Sequence, residues 1–427
     1  MEKTEIIPRD LLGEMEKWLD RREAFAIKGP RQSGKTTLLK ILAKKLEGKG
    51  KITYLNFEDP DVLEAFERNP KAYIQSFLAG RERHFFLMDE YHYVREAGRK
   101  LKLLYDTFEQ AKFVVTGSSS LELGGGMGKF LVGRVFFFEL LPFSFHEFLM
   151  ARDERLARLQ FQKNEILKKF LKGDEVEPEE EEPFCKEFEP LLHEYMRYGG
   201  YPAVVLSKEE ETKRMVLKGI YDTYVSRDVI EFLRFADAFK YRDCVRALSA
   251  SLGGILNYHE LASTVGSYFR EVKRIVSILS ETYIITLLRP FYRNPRTELR
   301  KAPKVYFFDP GLRNYIINNF SPLDFRPDRG QLAENFVLLE LMRMVGRDNI
   351  HYWRTIAKAE VDFVLRLDGD LVPVEVKYQK MDPKVPRSLR NFIQAYEPSR
   401  AVIVTRDLLS LQEFGNTQVL FVPAYYF

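Results

Sequence analysis

The stretch EAFAIKGPRQSGKTTLLKILAKKL, residues 23–46, decides the fold of the first part of the chain. An apolar run typical of a buried strand leads into a glycine-containing turn, and apolar residues then recur with helical spacing. The turn has the pattern G-x-x-x-x-G-K-T from Gly29 to Thr36. Glycines let the backbone wrap closely around phosphate groups, and amides at the start of a helix point toward an anion. The stretch therefore predicts a phosphate-binding loop between a strand and a helix.

The same loop predicts ATP and Mg²⁺ as cofactors. Lys35 supplies a mobile positive charge for the β- and γ-phosphates, and the Thr36 hydroxyl is suited to Mg²⁺. The alternative is a glycine turn followed by an incidental lysine, but four fixed positions rarely coincide by chance. The predicted nucleotide contacts are Gly29, Pro30, Arg31, Gln32, Ser33, Gly34, Lys35, Thr36 and Thr37.

A second motif, RHFFLMDEYHYV at residues 83–94, supplies carboxylates at the end of another apolar strand. Asp89 is predicted to hold Mg²⁺ through its water shell, and Glu90 to orient or deprotonate the attacking water. Lys35 and Glu90 are thus the predicted catalytic residues of an ATPase. In KFVVTGSSS, residues 112–120, Thr116 or Ser118 is placed to contact the γ-phosphate, although a simple capping turn is an alternative. Strand–helix alternation through this region predicts a parallel α/β sheet.

These motifs occur with YLNFEDP and LVGRVFFFELLPFSFHEFL in an order that resembles prokaryotic, archaeal-type AAA+ P-loop ATPases with a C-terminal domain of undefined function. The resemblance implies an AAA+-type domain over residues 1–150 and a homo-oligomer. In such proteins an arginine of a neighbouring subunit often completes the nucleotide site, and Arg134 is the candidate here. Arg134 could equally anchor the following segment to the sheet.

Composition places the chain among globular proteins of two to four domains, because 427 residues exceed what one core accommodates. Cys185 and Cys244 lack metal-ligand spacing and argue against a disulfide framework. The first residues lack an apolar signal core, and the most apolar run, FLVGRVFFFELLPFSF, contains Arg134 and Glu139. We therefore expect a cytoplasmic protein without a membrane segment.

Charge is unevenly distributed along the chain. Residues 240–304 contain twelve Lys or Arg against five Asp or Glu, although the whole chain has a net charge of only +4. A local basic excess of this kind indicates a partner with a phosphate backbone. By contrast, GDEVEPEEEEP at residues 173–183 has seven acids, and we interpret it as a solvated linker or insertion. It lies within a predicted helical lid or connector, residues 151–239.

Residues 240–305 are predicted to form a winged helix-turn-helix. Asn257 is a candidate N-cap, Gly266 supplies a turn, and a strand follows the second helix. On that second helix, residues with helical spacing form an apolar stripe, and three basic residues lie away from it. A winged helix that contacts protein rather than DNA is the alternative. The predicted DNA contacts are Arg270, Lys273 and Arg274.

The stretch EVDFVLRLDGDLVPVEVK, residues 360–377, predicts a hairpin around a two-residue Asp-Gly turn. Counting outward from the turn places Asp362 opposite Glu375 and Glu360 opposite Lys377, all on one polar face, while the other face is apolar. Like charges directly opposite one another destabilise a sheet, so a cation is expected between the acids. Lys377 or a metal ion could supply it.

Glu334 lies on the apolar face of a helix that precedes this hairpin. A helix Glu, a strand Asp and then Glu-x-Lys resemble the constellation of PD-(D/E)XK nucleases, which implies a nuclease-like domain over residues 325–427. In that interpretation Asp362 and Glu375 bind Mg²⁺, Glu334 assists, and Lys377 orients or activates water, which makes Glu375 and Lys377 catalytic. The alternative is an inactive fold held by pairs from Lys377 to Glu360 and Asp362. The protein would then be an ATP-driven switch or scaffold for protein partners.

Overall fold

The computed structural model divides into two units, which comprise residues 1–143 with 278–284, and residues 144–277 with 285–427. No helix in the described part of the chain is long and apolar enough to cross a membrane. The structure describes residues 6–78, 80, 82–117, 131–177, 182–223, 238–292, 294, 296, 298, 301–380 and 382–427.

The first unit is built on a five-stranded sheet in which all neighbouring strands are parallel, in the spatial order β2-β3-β4-β1-β5. The predicted parallel α/β sheet is therefore confirmed. Its strands are Ala24–Lys28 (β1), Lys51–Asn56 (β2), His84–Asp89 (β3), Ala111–Gly117 (β4) and Val135–Glu139 (β5). Its helices are Asp10–Glu16 (α1), Lys35–Leu46 (α2), Pro60–Arg68 (α3), Pro70–Gln75 (α4) and Ala97–Thr107 (α5).

Strands β1, β3 and β4 are buried along almost their whole length because both faces of the sheet are covered. Ala26 and Phe86 belong to the apolar cluster on one face, and Phe25 and Phe85 belong to the cluster on the other. This burial is typical of parallel sheets flanked by helices. Because the strands run in the same direction, their carboxyl ends meet at one edge, where the predicted phosphate loop and both carboxylates are located.

The second unit begins with helices that are closely packed rather than loosely connected. The backbone amide of Gly200 donates to the Asp309 carboxylate at 2.7 Å. A Cβ atom at Gly311 would lie 1.9 Å from the Tyr198 carbonyl oxygen, so this approach requires glycine. The turn at Gly199-Gly200 and the glycine at position 311 therefore let these two segments pack closely. The helices of the second unit up to this point are Phe145–Met150 (α6), Glu154–Lys172 (α7), Cys185–Tyr198 (α8), Pro202–Val205 (α9), Glu210–Ile220 (α10) and Ala238–Ala250 (α11).

The acidic run is not a solvated linker along its whole length. Glu182 has a buried side chain that lies 2.5 Å from Lys163 Nζ and accepts a hydrogen bond of 2.7 Å from the Tyr426 hydroxyl. The expectation of a fully solvated insertion is wrong at this position, because a lysine and a tyrosine compensate the buried charge. Residues 178–181 lie outside the described part of the chain.

A helix-turn-helix followed by a two-stranded antiparallel sheet occupies the basic region, in the predicted order. Its elements are Tyr258–Thr264 (α12), Phe269–Glu281 (α13), Ile285–Leu288 (β6) and Lys304–Phe307 (β7). The Asn257 side chain accepts from the amides of His259 and Glu260, as expected of an N-cap. The segment before α12 also pairs with β7, since the Gly253 amide donates to the Val305 carbonyl at 2.8 Å.

The C-terminal part contains a six-stranded sheet in the order β12-β13-β11-β10-β9-β8. Leu367 pairs with Asp370 across a turn in which Asp368 and Gly369 both have positive φ, so the predicted hairpin register is confirmed. The strands are Ile350–Arg354 (β8), Glu360–Leu367 (β9), Asp370–Val376 (β10), Arg400–Thr405 (β11), Ser410–Phe414 (β12) and Thr417–Pro423 (β13). The helices are Pro310–Ile316 (α14), Arg329–Val345 (α15) and Arg387–Tyr396 (α16).

The connection from β6 to β7 is joined to this C-terminal sheet. The Phe291 amide donates to the carbonyl of Tyr352 in β8, and the Phe291 ring packs in an apolar cluster with Trp353 and Phe392. Arg366 of β9 forms an ion pair with the buried Glu298. The segment predicted to be a wing is therefore tied to the sheet predicted to be a separate domain. Arg293 and Arg300 lie outside the described residues.

Candidate functional site

The phosphate loop follows β1 directly and needs glycine at both ends. A Cβ atom at Gly29 would lie 2.1 Å from the Leu140 carbonyl oxygen. Gly34 has a φ of 93° and occupies the N-cap position of α2. A residue without a side chain at this position cannot cap the first amides of α2, so nothing at Gly34 competes with an anion for them. The loop geometry therefore fits a bound phosphate group.

Lys35 and Ser33 are buried polar residues whose surroundings also fit a phosphate. The Lys35 ammonium donates to the carbonyls of Gly29 at 3.1 Å and Pro30 at 2.7 Å. Burial lowers the pKa of Lys35 to about 8, although the charges of Glu90 and Asp89 oppose this change. Ser33 Oγ is buried without a hydrogen-bond partner among the described residues. An anionic ligand would provide acceptors for both groups.

Asp89 and Glu90 lie at the end of β3, and a hydroxyl on β4 connects them. The buried Asp89 carboxylate accepts hydrogen bonds from the Thr116 hydroxyl and, at 2.7 Å, from the Tyr54 hydroxyl. The Glu90 amide donates to Thr116 Oγ1 at 3.0 Å. Glu90 itself has a φ of 51°, a left-handed conformation that non-glycine residues adopt at a cost of about 1 kcal/mol and that is frequent at functional sites.

His92 is a partner of Glu90 that the sequence did not reveal. Its Nδ1 lies 3.0 Å from Glu90 Oε2. Burial raises the pKa of Glu90, but the neighbouring His92 and the charge of Lys35 outweigh burial, so the pKa of Glu90 lies below its usual value. Glu90 is therefore ionised at neutral pH. The only sequence signal was the spacing Glu-x-His directly after the strand.

Arg9 is another residue that sequence reasoning missed, and it holds the phosphate loop from outside. Its buried guanidinium donates to the carbonyls of Ser33 at 2.7 Å and Leu141 at 2.8 Å, and it lies over the Phe143 ring. These contacts join the loop to the segment after β5. No local pattern indicates this role, because the two partners are far from Arg9 in the sequence.

The other residues predicted to contact the nucleotide differ in their exposure to solvent. Thr36 is half-buried at the start of α2, while Arg31, Gln32 and Thr37 are exposed. Ser118 lies outside the described residues.

Arg134 lies away from the phosphate loop of its own chain. Its side chain donates to Asp106 at 2.8 Å, and its carbonyl accepts from the amide of Ala24, at the start of β1. The phosphate loop follows the other end of β1, so the structure does not bring Arg134 to it. Within one chain Arg134 anchors β5, which was the alternative. A role across subunits stays a prediction.

The acids of the C-terminal hairpin, which share one face in the predicted register, are buried. Glu375 is 2% exposed; its Oε1 lies 2.7 Å from Lys377 Nζ and accepts from the Ser388 hydroxyl of α16 at 3.1 Å. Asp362 is 7% exposed and accepts from the Val376 amide at 2.8 Å. A helix that returns from later in the chain therefore closes this face.

A second lysine, Lys304 of β7, was not anticipated and also enters the acidic group. Its buried ammonium lies 2.5 Å from Glu360 Oε1, and Arg354 lies 3.1 Å from the other oxygen. Other ion pairs therefore take the place of the predicted ion pairs of Lys377 with Glu360 and with Asp362. Lys377 pairs with Glu375, and Glu360 pairs with Lys304 and Arg354. We call Glu334, Glu360, Asp362 and Glu375 the acidic cluster, and Lys304 and Lys377 lie among these acids.

Negative charge exceeds its compensation in this cluster. Burial, together with the charge of Asp362, raises the pKa of Glu334 to about 8 and the pKa of Glu375 to about 7. Glu334 also accepts a hydrogen bond of 3.1 Å from the Tyr306 hydroxyl. Among the described residues, no three His, Cys, Asp or Glu side chains are arranged to hold a metal ion. The structure thus brings Glu334, Asp362 and Glu375 into one electrostatic group without arranging them as three metal ligands.

The predicted DNA contacts lie on the exposed face of α13. Arg270, Lys273 and Arg274 are exposed, whereas Val272 and Ile275, on another face of the helix, are fully buried. The amphipathic interpretation of this helix is therefore confirmed.

Comparison with known families supports the assignment of the first unit. Residues 21–149 match the sequence model of a family described as an AAA domain. Residues 189–323 and 329–425 match two families, each described as a domain of unknown function, DUF8612 and DUF4143. The chain is thus an α/β protein with an AAA+-type P-loop sheet, a helical region and a C-terminal sheet domain.

Similar proteins occur in distant bacteria. An uncharacterized protein of Haemophilus influenzae is 22% identical over 439 residues, which cover 99% of this chain and 98% of that protein. An uncharacterized protein of Mycobacterium tuberculosis is 24% identical over 399 residues, which cover 93% of this chain and 79% of that protein. Among solved structures, the RuvB Holliday junction branch migration motor of Thermotoga maritima has 17% identity, coverage of 67% of this chain and 89% of that chain, and a TM-score of 0.31.

In the presence of a chelator, the substitution Glu334→Gln should increase the free energy of unfolding of the second unit more at about pH 8 than at about pH 5. Burial raises the pKa of Glu334, so between the ordinary glutamate pKa and about 8 the folded state binds more protons than the unfolded state. Wild-type stability therefore falls as pH rises through this range, and glutamine removes that contribution. Urea unfolding at several pH values, with exposed Glu413→Gln as the control, measures the difference. A difference independent of pH would contradict the assignment of the raised pKa.

Proposed function

We propose that the protein is a Mg²⁺-dependent ATPase that works as a homo-oligomer. The observation that carries this proposal is the convergence of the phosphate loop and the pair Asp89-Glu90 at one edge of the sheet, joined through Thr116. The orphaned Ser33 hydroxyl and the buried Lys35 ammonium fit a triphosphate. The match of residues 21–149 to an AAA domain supports the same class.

Each residue of this site has a distinct part in the proposed reaction. Lys35 would exchange the carbonyls of its own loop for phosphate oxygens. The Thr36 hydroxyl and, through water, Asp89 would hold Mg²⁺, which neutralises phosphate charge when bound. Glu90 would accept a proton from the attacking water, and His92 keeps the Glu90 carboxylate ionised and oriented. If Arg134 of a neighbouring subunit contributes, it must first leave Asp106.

Substitution of Lys35 and of Glu90 should have different effects on the two steps of the ATPase cycle. Lys35→Ala should abolish tight ATP binding, because it removes the cation that faces the β- and γ-phosphates. Glu90→Gln should keep binding and reduce turnover by about 10²- to 10⁴-fold, because it removes only the proton acceptor. Calorimetric titration of ATP and a phosphate-release assay separate these effects.

The matched control for both substitutions is Lys40→Ala, which changes an exposed lysine on the same helix as Lys35. This variant should bind and hydrolyse ATP as the wild type does. Normal turnover in Glu90→Gln would refute the proposed role of this carboxylate.

We further propose that the protein binds DNA through residues 240–305 as a winged helix-turn-helix. The supporting observation is the exposed basic face of α13, which follows a capped helix and a glycine turn and precedes a two-stranded sheet. Exposed Arg289, Arg296 and Lys301 extend the positive charge beyond the helix. The alternative partner is a protein, in which case ATP would drive a switch or scaffold.

Replacement of Arg270, Lys273 and Arg274 by alanine should flatten the dependence of log affinity on log salt by about two to three units, because each phosphate contact releases counterions. Anisotropy titrations of labelled duplex DNA at several salt concentrations give the slope. The control replaces three exposed basic residues of the first unit, Lys40, Lys49 and Arg99, with alanine. An unchanged slope in the α13 variant would favour a protein partner.

The C-terminal domain, residues 325–427 as predicted, is a second candidate site, of PD-(D/E)XK nuclease type. The supporting observation is the acidic cluster, in which burial raises the pKa of Asp362 and burial, together with the charge of Asp362, raises the pKa of Glu375. A divalent cation near the two carboxylates would stabilise their ionised forms. Lys377, 2.7 Å from Glu375, would orient or activate water. Against this stands Lys304, which already neutralises part of the cluster. The rival interpretation remains an inactive domain stabilised by its lysines.

Calorimetric titration with Mn²⁺ distinguishes these interpretations. The titrated protein is the full chain with the substitution Asp89→Asn, which removes a metal ligand of the nucleotide site. We expect one binding event that disappears when Asp362→Asn is added, followed by nicking of supercoiled plasmid that depends on Lys377. Absence of any heat that depends on Asp362 would leave the inactive interpretation standing. Binding without nicking would point to a requirement for ATP or a partner.

A further inference from the structure

Tyr268, directly before the basic helix α13, and Phe269, its first residue, have different surroundings. The Phe269 ring stacks on His259 with centroids 4.7 Å apart and meets Tyr258 edge-on at 5.8 Å. Both partners belong to α12, so the Phe269 ring is held against the preceding helix. The Tyr268 side chain, by contrast, is 80% exposed. The turn thus exposes the Tyr268 ring to solvent while the Phe269 ring packs against α12.

Tyr268 lies between a glycine turn and the first turn of α13. Gly266 has a φ of 59° and makes the sharp turn between the helices. The Ser267 hydroxyl bonds to the Glu271 carboxylate, which fixes the first turn of α13.

Tyr268 lies next to the exposed basic residues of α13. Arg270, Lys273 and Arg274 are exposed in the next two turns of the helix. A basic track next to an exposed aromatic ring is the combination by which proteins bind unpaired nucleic-acid strands, in which cations contact phosphates and rings stack on bases. In a helix-turn-helix, moreover, the residues at the start of the second helix meet the bases.

A fully paired duplex offers little to a tyrosine ring at this position. Paired and stacked bases bury their flat faces and expose polar edges, which Arg, Lys, Asn or Gln read by hydrogen bonding. An unpaired base exposes its face, and a tyrosine can cover it. The exposed ring therefore indicates a preference for unpaired bases over duplex.

We propose that the ligand of this surface is DNA with an unpaired base next to a duplex, as at a fork, a gap or a single-stranded tail. The basic residues of α13 bind the phosphates, and Tyr268 stacks on the first unpaired base. This inference rests on the proposed DNA binding and specifies which DNA structure is bound.

The test compares the full chain with its Tyr268→Ala and Tyr268→Phe variants on three labelled DNAs of one sequence: a blunt duplex, a forked duplex and a single strand. Tyr268→Ala should weaken binding to the fork by about 5- to 100-fold and change duplex binding less than about twofold. Tyr268→Phe should retain fork binding, because phenylalanine keeps the ring. A 2-aminopurine at the first unpaired position should be quenched by the wild type and by Tyr268→Phe, but not by Tyr268→Ala.

Phe325→Ala is the matched control, since Phe325 is 82% exposed and lies outside the helix-turn-helix. This variant should bind all three DNAs as the wild type does. Equal loss of fork and duplex binding in Tyr268→Ala, or no loss at all, would refute the stacking role while leaving DNA binding intact. Failure of the wild type to bind any of the three DNAs would overturn both this inference and the proposed DNA binding.

Discussion

The hydrogen bond from the Thr116 hydroxyl to the Asp89 carboxylate holds the two halves of the nucleotide site in register. Thr116 lies on β4, which runs between β1, the strand that leads into the phosphate loop, and β3, the strand that carries Asp89. One hydroxyl on the middle strand therefore fixes the carboxylate relative to the loop, and it also receives the Glu90 amide. The parallel direction of the three strands makes this arrangement possible, because their ends coincide at one edge of the sheet.

Both candidate sites follow one physical rule, which is that a buried charge needs a partner. In the first unit Lys35 uses carbonyls of its own loop, and Asp89 uses two hydroxyls. In the second unit two lysines and a backbone amide compensate the acidic cluster incompletely. Burial, together with the charge of Asp362, raises the pKa of Glu334 to about 8. In the nucleotide site the buried Ser33 hydroxyl lacks a partner among the described residues, and an anion would supply one, whereas a cation would stabilise the ionised acids of the acidic cluster.

The sequence predicted those features that depend on local pattern. The phosphate loop, the hairpin register about Asp368-Gly369 and the buried stripe of α13 each follow from spacing within a short stretch. It could not predict features that depend on distant segments. Ser388 closes the supposed polar face from a helix beyond the hairpin, and Lys304 enters the acidic cluster from β7. Arg9 reaches the phosphate loop across a separation that no periodicity encodes.

Lys304 belongs to two structures at once, because it lies on the strand that follows the basic helix-turn-helix and its ammonium lies among the acids of the C-terminal sheet. Thermodynamic linkage predicts that this position of Lys304 couples the two regions. A ligand of the proposed DNA-binding surface that shifted β7 would move the Lys304 ammonium away from the acids and would thereby increase the affinity of the acidic cluster for a cation. By reciprocity, a cation that took the place of the ammonium would change the affinity of the helix-turn-helix for DNA by the same factor. A single side chain, moving with its strand, would then couple the two proposed sites.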